Sequence, residues 1–585
     1  MSLDTTAVTS TVSSAVAAEL EQHAAHVFAL MGNGNAWFLD AVVRRGRLPL
    51  TAVRHEAATV AAADAHYRAS GALAVASTTY GAGYTNALTP LAEAAMARIP
   101  LVLVVGDAPT GGLRPFDVDQ PAIATAVGAP TLVVGRGDAR AVTRQAVELA
   151  LGERRPVVLA IPYDIAHAPL EEAAAPAASH AEAPGGAGSL RAGASARLAD
   201  VAALLGSAQR PLLLAGRGAH LAGAASALRN LAVRLGARTA SSALGSGIFA
   251  ADHRHLGIAG GFASERAAAA IEQADVVVVV GAGLNQFQTR FGDGFGAEAT
   301  VVQIDLADTA TNPRVDRFVQ ADARLAVEAL LAALPAEAGA GAEAAAGATA
   351  AGDQGWSAVG FGDVTGIHVE REPGDAAAAD GRLDPRSLFH ALERILPEDR
   401  VIVQDGGHFI GWAPTHLSVA DPQRLLMVGT AFQTIGLGLP SAVGAGVARP
   451  ESTIVLVSGD GGALMGLADL DSVVRTVRRG VIVLVNDAAY GAEVHQYAVR
   501  GVAEAPMLID EVDFAALGRA VGATGAVIAS LDDLAQLEAW LASGADGVFI
   551  ADCRVSRTVV APYIVEIREA AVRAAAAAAT EPAAD

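Results

Sequence analysis

The chain has 585 residues, a formal net charge of −21 and one cysteine, and all 41 of its basic side chains are arginine. Because lysine is absent, phosphate-binding loops of the Gly-Lys-Ser/Thr type, Schiff-base catalysis and a lysine general base are excluded. The acidic balance argues against binding to nucleic acid, and a lone cysteine favours a reducing, cytoplasmic setting.

No stretch approaches ~18 consecutive strongly apolar residues, and residues 1–25 lack the basic and apolar regions of a signal peptide. We therefore expect neither a membrane span nor a signal peptide. Cys553 is expected to be a small buried hydrophobe rather than a nucleophile.

Two stretches rich in Ala, Gly, Pro and Ser, residues 168–195 and 334–356, lack apolar periodicity and are typical of connectors. The length itself predicts three or four domains of ~150 residues each. The predicted divisions are a first domain at 1–170, a middle domain at 190–335, a linker at 336–384, a third domain at 385–570 and a tail at 571–585.

In each predicted domain, short runs rich in Val, Ile and Leu alternate with longer helical stretches. Uninterrupted apolar runs of this kind predict parallel strands that helices cover on both faces. The fold class is therefore α/β, with three doubly wound parallel-sheet domains, whose ligands bind beyond the carboxyl ends of the strands. The predicted strands are 73–77, 101–106 and 156–162, then 211–216, 275–281 and 300–305, and finally 400–405, 453–462, 481–487 and 547–553.

Two neighbouring strands of the third domain run into residues suited to a diphosphate and a metal. The first leads into Gly459-Asp460-Gly461-Gly462, and the second leads into Asn486-Asp487. Glycines permit close backbone approach to a diphosphate, and Asp460 with a second oxygen ligand at the next strand end can hold one Mg²⁺.

This pattern resembles the thiamine-diphosphate (ThDP) fingerprint, which begins with Gly-Asp-Gly and ends in a short Asn/Asp pair roughly 27 positions later. The resemblance covers about residues 15–570, and it implies pyrimidine-binding, central and diphosphate-binding domains in that order. It assigns Asp460, Asp487 and the Ala489 carbonyl to the metal, with Asn486 as the alternative ligand. The further cofactor contacts that it implies in this domain are Gly459, Gly461, Gly462, Tyr490 and Gly491.

The family also needs a glutamate on its first domain to hydrogen-bond the aminopyrimidine ring of the cofactor. Glu56, followed by an Ala-rich helix, resembles that residue. The segment from Thr79 to Asn86 resembles a turn that shapes the pyrimidine side of the pocket, so Tyr80 and Asn86 are expected there.

A third segment, 433–440, resembles the turn whose bulky apolar residue bends the cofactor. Ile435 takes the place of that residue. Gln433 replaces a common glycine whose carbonyl accepts a hydrogen bond from the cofactor, so the carbonyl is retained while a new side chain is added.

The resemblance is to the acetolactate synthase and 2-oxo acid decarboxylase branch. The loop ending in Gln120 is closer to that of acetolactate synthases than to the His-His pair of pyruvate decarboxylases, which makes Gln120 a substrate-side amide.

Asn33 and His408 are further polar catalytic candidates, since the reaction needs groups that move protons. Segments 281–289 and 492–496 lack the arginine and tryptophan of the biosynthetic synthases, which argues against ordinary acetolactate synthesis for branched-chain amino acids. The same losses argue against FAD, although residues 216–220 and 303–307 suit a nucleotide.

The expected activity is a ThDP- and Mg²⁺-dependent C–C bond lyase or carboligase, acting on a 2-oxo acid or diketone through ylide and enamine intermediates. The alternatives are a 2-hydroxyacyl-CoA lyase or oxalyl-CoA-type decarboxylase, a diketone hydrolase and, last, an inactive binding or regulatory relative. Because Glu56 and Asp460 lie in different domains, the family arrangement implies a homodimer or homotetramer with active sites at the dimer interface.

Overall fold

The computed structural model describes residues 10–171, 190–191, 193–250, 252–334, 351–367 and 373–580, with side chains as far as residue 574. Most of the predicted connector at 168–195 (172–189 and 192), much of the predicted linker (335–350 and 368–372) and the last part of the predicted tail (581–585) lie outside these residues. Within them the chain forms three six-stranded sheets, and every strand pair in them is parallel. The predicted fold class is confirmed.

The first sheet has the strand order β2-β1-β3-β4-β6-β5. Its strands are β1 (His26–Ala29), β2 (Leu50–Ala52), β3 (Ala74–Thr78), β4 (Leu101–Asp107), β5 (Thr131–Val133) and β6 (Pro156–Pro162). Its helices are α1 (Val12–Leu20), α2 (Ala36–Arg45), α3 (Glu56–Ser70), α4 (Ala82–Asn86), α5 (Leu88–Met96), α6 (Gln120–Ala126) and α7 (Ala139–Glu153).

The middle sheet has the order β12-β11-β10-β7-β8-β9. All its strands are parallel, but successive strands are added on one side of β7 as far as β9 and on the other side from β10 onward, so the strand order reverses between β7 and β10. Its strands are β7 (Pro211–Ala215), β8 (Arg238–Ser241), β9 (His255–Ile258), β10 (Val276–Val280), β11 (Thr300–Asp305) and β12 (Arg317–Gln320). Its helices are α8 (Ala194–Ser207), α9 (Arg217–Leu221), α10 (Ala225–Leu235), α11 (Glu265–Glu272), α12 (Ala323–Ala333) and α13 (Ala351–Ala358). This is the strand order of dinucleotide-binding folds, which place ligands at the point of reversal.

The third sheet, β14-β13-β15-β16-β18-β17, repeats the order of the first. Its strands are β13 (Arg400–Gln404), β14 (Leu425–Leu426), β15 (Thr453–Gly459), β16 (Arg479–Asn486), β17 (Thr524–Ile528) and β18 (Gly547–Arg554). Its helices are α14 (Pro385–Ile395), α15 (Trp412–His416), α16 (Gly438–Ala448), α17 (Asp460–Met465), α18 (Leu470–Thr476), α19 (Gly491–Tyr497), α20 (Phe514–Ala520), α21 (Ala535–Ala542) and α22 (Pro562–Thr580). Short 3-10 turns lie at Ala243–Gly245, Arg290–Gly292, His408–Gly411, Pro422–Arg424, Leu467–Asp469, Ala498–Arg500, Ala505–Met507 and Leu531–Leu534.

The first and third domains pack together through α3 and α16, and one continuous apolar core includes residues of both helices. Small side chains allow close approach: a Cβ added at Gly444 would lie 2.0 Å from the carbonyl oxygen of Ala62. α3 begins at Glu56 because the ring of His55, whose backbone is extended, accepts a hydrogen bond from the Ala57 N–H, and it ends at Gly71, which is left-handed. This contact fixes the position of the first domain beside the third.

Two predicted irregular segments contain helix. Within the predicted linker, α13 packs on the middle domain, where Trp356 is fully buried and its indole N–H donates to the Pro211 carbonyl. The helix α22 continues into the predicted tail as far as Thr580. Among the described helices, none is long and apolar enough to cross a bilayer.

Candidate active site

A cavity of about 1210 Å³ lies between the strand ends of the middle and third sheets, and first-domain residues, among them Arg68, Arg98 and Arg154, line one part of it. From the third domain it is lined by residues 406–410, which follow β13, by parts of 427–435, by 459–462 after β15 and by 489–493 after β16. The carboxyl ends of the parallel strands in one sheet open on the same side, so these four connections meet there.

Two buried carboxylates form the floor of this cavity. Asp460 is 3% exposed and Asp487 is 8% exposed. Burial raises the pKa of Asp460 to about 6, and burial together with the charge of Asp460 raises the pKa of Asp487 to about 7. One oxygen of Asp460, Oδ1, accepts from the Gly461 N–H at 2.8 Å, whereas Oδ2 is buried with no hydrogen-bond partner among the described residues.

These features fit a divalent cation. A positive charge between the two carboxylates would relieve their repulsion and satisfy the orphan Asp460 oxygen. Ala488 between them has φ +56°, a left-handed conformation that is uncommon outside glycine, and the Ala489 carbonyl follows directly. No cluster of three or more His, Cys, Asp or Glu side chains suited to a metal occurs in the described chain, so carbonyl, diphosphate and water oxygens would complete the coordination of Mg²⁺.

Asn486 faces away from this pair. Its side-chain Nδ2 donates to Asp552 at 2.9 Å and to the Val512 carbonyl at 3.1 Å, and the residue is fully buried and does not line the cavity. Of the two ligands that the sequence left open, the geometry favours Asp487.

Sequence reasoning missed Asp405, which follows β13 and is 1% exposed. Its carboxylate accepts from the backbone N–H of Gly406 at 2.8 Å, from that of Gly436 at 3.0 Å and from the Ser458 hydroxyl at 3.0 Å. Asp405 therefore ties the turn containing Ile435 to the end of β15, just before Asp460. The available signal was an Asp at a predicted strand end.

Ile435 and Gln433 both line the cavity. A Cβ at Gly406 would lie 2.9 Å from the Ile435 Cγ2, so the two connections are in close contact. Gln433 has φ +58°, which explains why a glycine suits this position. The predicted glycines Gly459, Gly461 and Gly462, together with Tyr490 and Gly491, line the same cavity.

His408 lines the cavity and is 6% exposed. Its Nε2 accepts from the Ala561 N–H at 2.9 Å, which leaves the proton on Nδ1. Burial and the neighbouring His495 lower the pKa of His408 to about 3. The neutral ring can donate a hydrogen bond through Nδ1, but its contacts do not support proton uptake near neutral pH.

The predicted residues of the first domain form a second group at the carboxyl edge of their own sheet. The Asn86 Nδ2 donates to the Glu56 Oε2 at 3.1 Å, and the Asn33 Nδ2 donates to the Tyr80 hydroxyl at 2.8 Å. Gln120 is buried with both ends of its amide engaged: Oε1 accepts from the Gly81 N–H at 2.8 Å, and Nε2 donates to the Gly106 carbonyl at 3.0 Å. These contacts give Gln120 a role in holding the turn beside Tyr80; its contact with substrate stays a prediction.

Within one chain the two groups do not share a pocket. Residues of the first-domain group, Asn33, Glu56, Tyr80, Asn86 and Gln120, are absent from the lining of the cavity that contains Asp460 and Asp487. The surface around them carries exposed apolar side chains, among them Met31 (72% exposed), Leu113 (66%) and Phe116 (63%).

Comparison with known proteins identifies these domains. Residues 10–124 match the N-terminal TPP binding domain of thiamine pyrophosphate enzymes, residues 198–330 match their central domain, and residues 405–551 match their C-terminal TPP binding domain. The carboxylate pair lies in the C-terminal TPP binding domain, on a cavity that residues of all three domains line.

Similar curated proteins are acetolactate synthases. The large subunit of isozyme 2 from Escherichia coli is 28% identical over 508 residues, which span 85% of this chain and 87% of that protein. The large subunit from Parasynechococcus marenigrum is 28% identical over 499 residues, which span 81% of this chain and 76% of that protein.

A similar solved structure is the Rhodococcus jostii RHA1 thiamine diphosphate-dependent 4-hydroxybenzoylformate decarboxylase. Its TM-score is 0.74 at 19% identity, and the match covers 93% of this chain and 99% of that one, which shows the shared fold. With all three domains matched in order, the chain belongs to the thiamine-diphosphate-dependent enzyme superfamily and is distantly related to acetolactate synthases.

Proposed function

We propose that this chain is a ThDP- and Mg²⁺-dependent C–C bond lyase or carboligase that acts on a 2-oxo acid or diketone donor. The observation that carries the proposal is the pair Asp460 and Asp487, two buried carboxylates with an unsatisfied oxygen at adjacent strand ends of the C-terminal TPP binding domain. When bound, ThDP supplies the nucleophile and the electron sink for breaking a C–C bond next to a carbonyl.

In this proposal Glu56 is the residue that exchanges a proton with the aminopyrimidine ring of the cofactor. One oxygen of its carboxylate, Oε2, is held by Asn86, while Oε1 makes no hydrogen bond among the described residues. A carboxylate fixed by one oxygen leaves the other to hydrogen-bond the ring nitrogen of the aminopyrimidine and to hold a proton there. Asn86 thereby orients the carboxylate rather than exchanging the proton itself.

Asp460, Asp487 and the Ala489 carbonyl would hold Mg²⁺, and the metal would in turn hold the diphosphate. Asp405 holds the turn that contains Ile435 against the end of β15. The apolar side chain of Ile435 therefore stays at a fixed distance from Asp460, which follows β15. The Nδ1–H of His408 remains to donate to an oxygen on the substrate side.

The proposal requires two copies of the chain. Glu56 lies outside the cavity that its own Asp460 and Asp487 form. The exposed apolar surface around Tyr80 and Phe116 suits burial against a second copy, which would bring Glu56 of one protomer to the cavity of its partner. Two such sites per dimer follow from the symmetry of the contact.

The test uses Glu56→Gln and Asp460→Ala in the purified protein. We expect the unmodified chain to bind ThDP in a Mg²⁺-dependent manner by isothermal titration calorimetry. Glu56→Gln should bind ThDP within a few-fold of this affinity yet lose turnover of 2-oxo acids by at least about 100-fold, the scale of a lost acid–base group. Asp460→Ala should lose the Mg²⁺-dependent binding. Undiminished turnover in Glu56→Gln would overturn the proposal.

The other end of the cavity favours a nucleotide. Four arginines line it, and the described structure gives three of them, Arg98, Arg154 and Arg217, no ion pair. Burial, together with the charges of Arg68 and Arg154, lowers the pKa of Arg217 to about 10. In a chain of net charge −21 such a cluster suits a phosphate group.

Beside these arginines, two turns of the middle sheet pack closely against each other. A Cβ at Gly216, after β7, would lie 2.2 Å from the carbonyl oxygen of Gly281, after β10, which is the point where the strand order reverses. This observation keeps a CoA thioester as the second candidate substrate, and it keeps FAD open as a bound group. A visible absorption spectrum of the purified protein shows whether a flavin is bound. Titration of CoA in the calorimeter tests whether the cavity binds CoA.

A further inference from the structure

Backbone strain in this protein concentrates at the cavity. Seven non-glycine residues of the described chain have a left-handed φ: Arg98, Arg154, Leu284, Arg290, Phe291, Gln433 and Ala488. Four of the seven line the cavity, and each of the other three is a sequence neighbour of a lining residue. Such strain persists where the surrounding structure holds it, and it clusters at functional sites.

Several of these residues have a local structural reason. Arg154 ends α7 as its left-handed cap, and Arg98 lies just beyond the end of α5. Ala488 lies between Asp487 and Ala489, the two proposed metal-binding residues after β16. Gln433 is different, because it belongs to no helix cap and its carbonyl is available whichever side chain it carries.

The backbone around Gln433 is fixed from both sides. The Phe432 N–H donates to the buried Glu93 carboxylate at 2.7 Å, and the Thr434 N–H donates to the Gly429 carbonyl at 2.9 Å. Within this turn Gly429 has φ +106° and Gly436 has φ +88°. A glycine at 433 would adopt the same conformation without a side-chain penalty, so the glutamine is kept against its backbone preference.

The Gln433 side chain is exposed, lines the cavity and makes no hydrogen bond among the described residues. Nearby donors are engaged: Arg68 with Asp64, Glu93 and the Met427 carbonyl, and the Thr430 hydroxyl with the Met427 carbonyl. The neutral amide of Gln433 is therefore a donor on this part of the lining that makes no hydrogen bond among the described residues.

We propose that the Gln433 side chain is a specificity-determining substrate contact, donating its amide N–H to a carbonyl or carboxylate oxygen of the 2-oxo acid. This rests on the proposed function, and it assigns to the side chain a role separate from any cofactor contact of the backbone carbonyl.

The test compares Gln433→Ala, which removes the amide and keeps the strained backbone, with Gln433→Gly, which removes both. Both variants should raise KM for the best donor in a panel that includes pyruvate and benzoylformate by about three- to tenfold, the scale of one lost neutral hydrogen bond, with kcat nearly retained. Gln433→Gly alone should raise Tm, by about 2 to 4 °C. Gln536→Ala, an exposed helical glutamine of the third domain, should change neither quantity.

The outcomes separate the inference from the proposed function. If the unmodified chain binds no ThDP with Mg²⁺ and turns over no donor, the proposed function fails, and the inference falls with it. If the unmodified chain is active and both Gln433 variants keep its KM, or if both variants change only the oligomeric state seen by mass photometry, the inference alone is overturned.

Discussion

At the scale of single residues, the proposed metal ligand depends on which of two neighbours, Asn486 or Asp487, faces the cavity. Asp460, with a second oxygen ligand at the next strand end, was predicted from its position after a parallel strand, whereas the choice of Asp487 for that second ligand came from the family resemblance. The role of Asn486 could not be predicted from its own strand, since it depends on Asp552 of β18, a partner 66 residues away. Alternation along a strand sends adjacent side chains to opposite faces, so one of the two neighbours had to point inward.

We therefore expect Asp487→Ala and Asn486→Ala to fail in different ways. Loss of a ligand should weaken Mg²⁺-dependent ThDP binding by about 100-fold or more, while the fold is kept. Loss of the Asn486 amide leaves the buried Asp552 carboxylate short of a donor and should lower the free energy of unfolding by about 1–3 kcal/mol.

Calorimetry with ThDP at saturating and at limiting Mg²⁺, and urea unfolding of both variants, measure these effects. The reverse pattern, in which Asn486→Ala abolishes metal dependence and Asp487→Ala does not, would show that the ligand assignment is wrong.

At the scale of elements, the ten apolar strands predicted from the sequence are present, within a residue or three at each end. Of the other eight strands, six are the sheet edges β2, β5, β9, β12, β14 and β17, and the remaining two are β1 and β8. Edge strands are short and open to solvent or to a helix on one side, so they need no continuous Val/Ile/Leu run. Burial on both faces gives most central strands their continuous apolar runs, but β8 is fully buried with Arg238, Thr239 and Ser241 in it and so shows no such run.

The packing of α3 on α16 was also beyond sequence analysis, because two Ala/Gly-rich helix faces show no large apolar stripe. Gly444→Ala should destabilise this contact, since the added Cβ would lie 2.0 Å from the Ala62 carbonyl oxygen. We expect a loss of about 1–3 kcal/mol, the scale of overpacking a dense core.

Gly206→Ala is the matched control, because Gly206 lies in α8 and a Cβ there meets nothing within 4 Å. This change should be neutral or stabilising, by up to about 1 kcal/mol. Thermal unfolding of both variants checks the pair, and equal behaviour of the two would contradict the close contact at Gly444.

At the scale of the whole molecule, the sequence indicated three sheets, but physical reasoning from residues could not say that the predicted site is divided. Glu56 and Asp460 follow strands of different sheets, and the fold places them in separate surroundings within one chain. Only the family resemblance predicted that a second copy completes the site. The separation of the two groups supports that prediction, and it also supplies a direct test.

The central claim is that Glu56 of one protomer acts on a cofactor held by Asp460 and Asp487 of its partner. Chains with Glu56→Gln and chains with Asp460→Ala, carrying different affinity tags, are co-expressed and the mixed dimers isolated. Hydrogen–deuterium exchange at C2 of bound ThDP is then followed by acid quench and NMR, a readout that needs no knowledge of the substrate.

Either variant alone should lack fast exchange, the first because the proton-holding carboxylate is gone and the second because the metal site is gone. The mixed dimer retains one site with both residues intact, formed by Glu56 of the Asp460→Ala chain and Asp460 of the Glu56→Gln chain. The account predicts fast exchange in about half of its sites. Exchange no faster than in the two parents would contradict it.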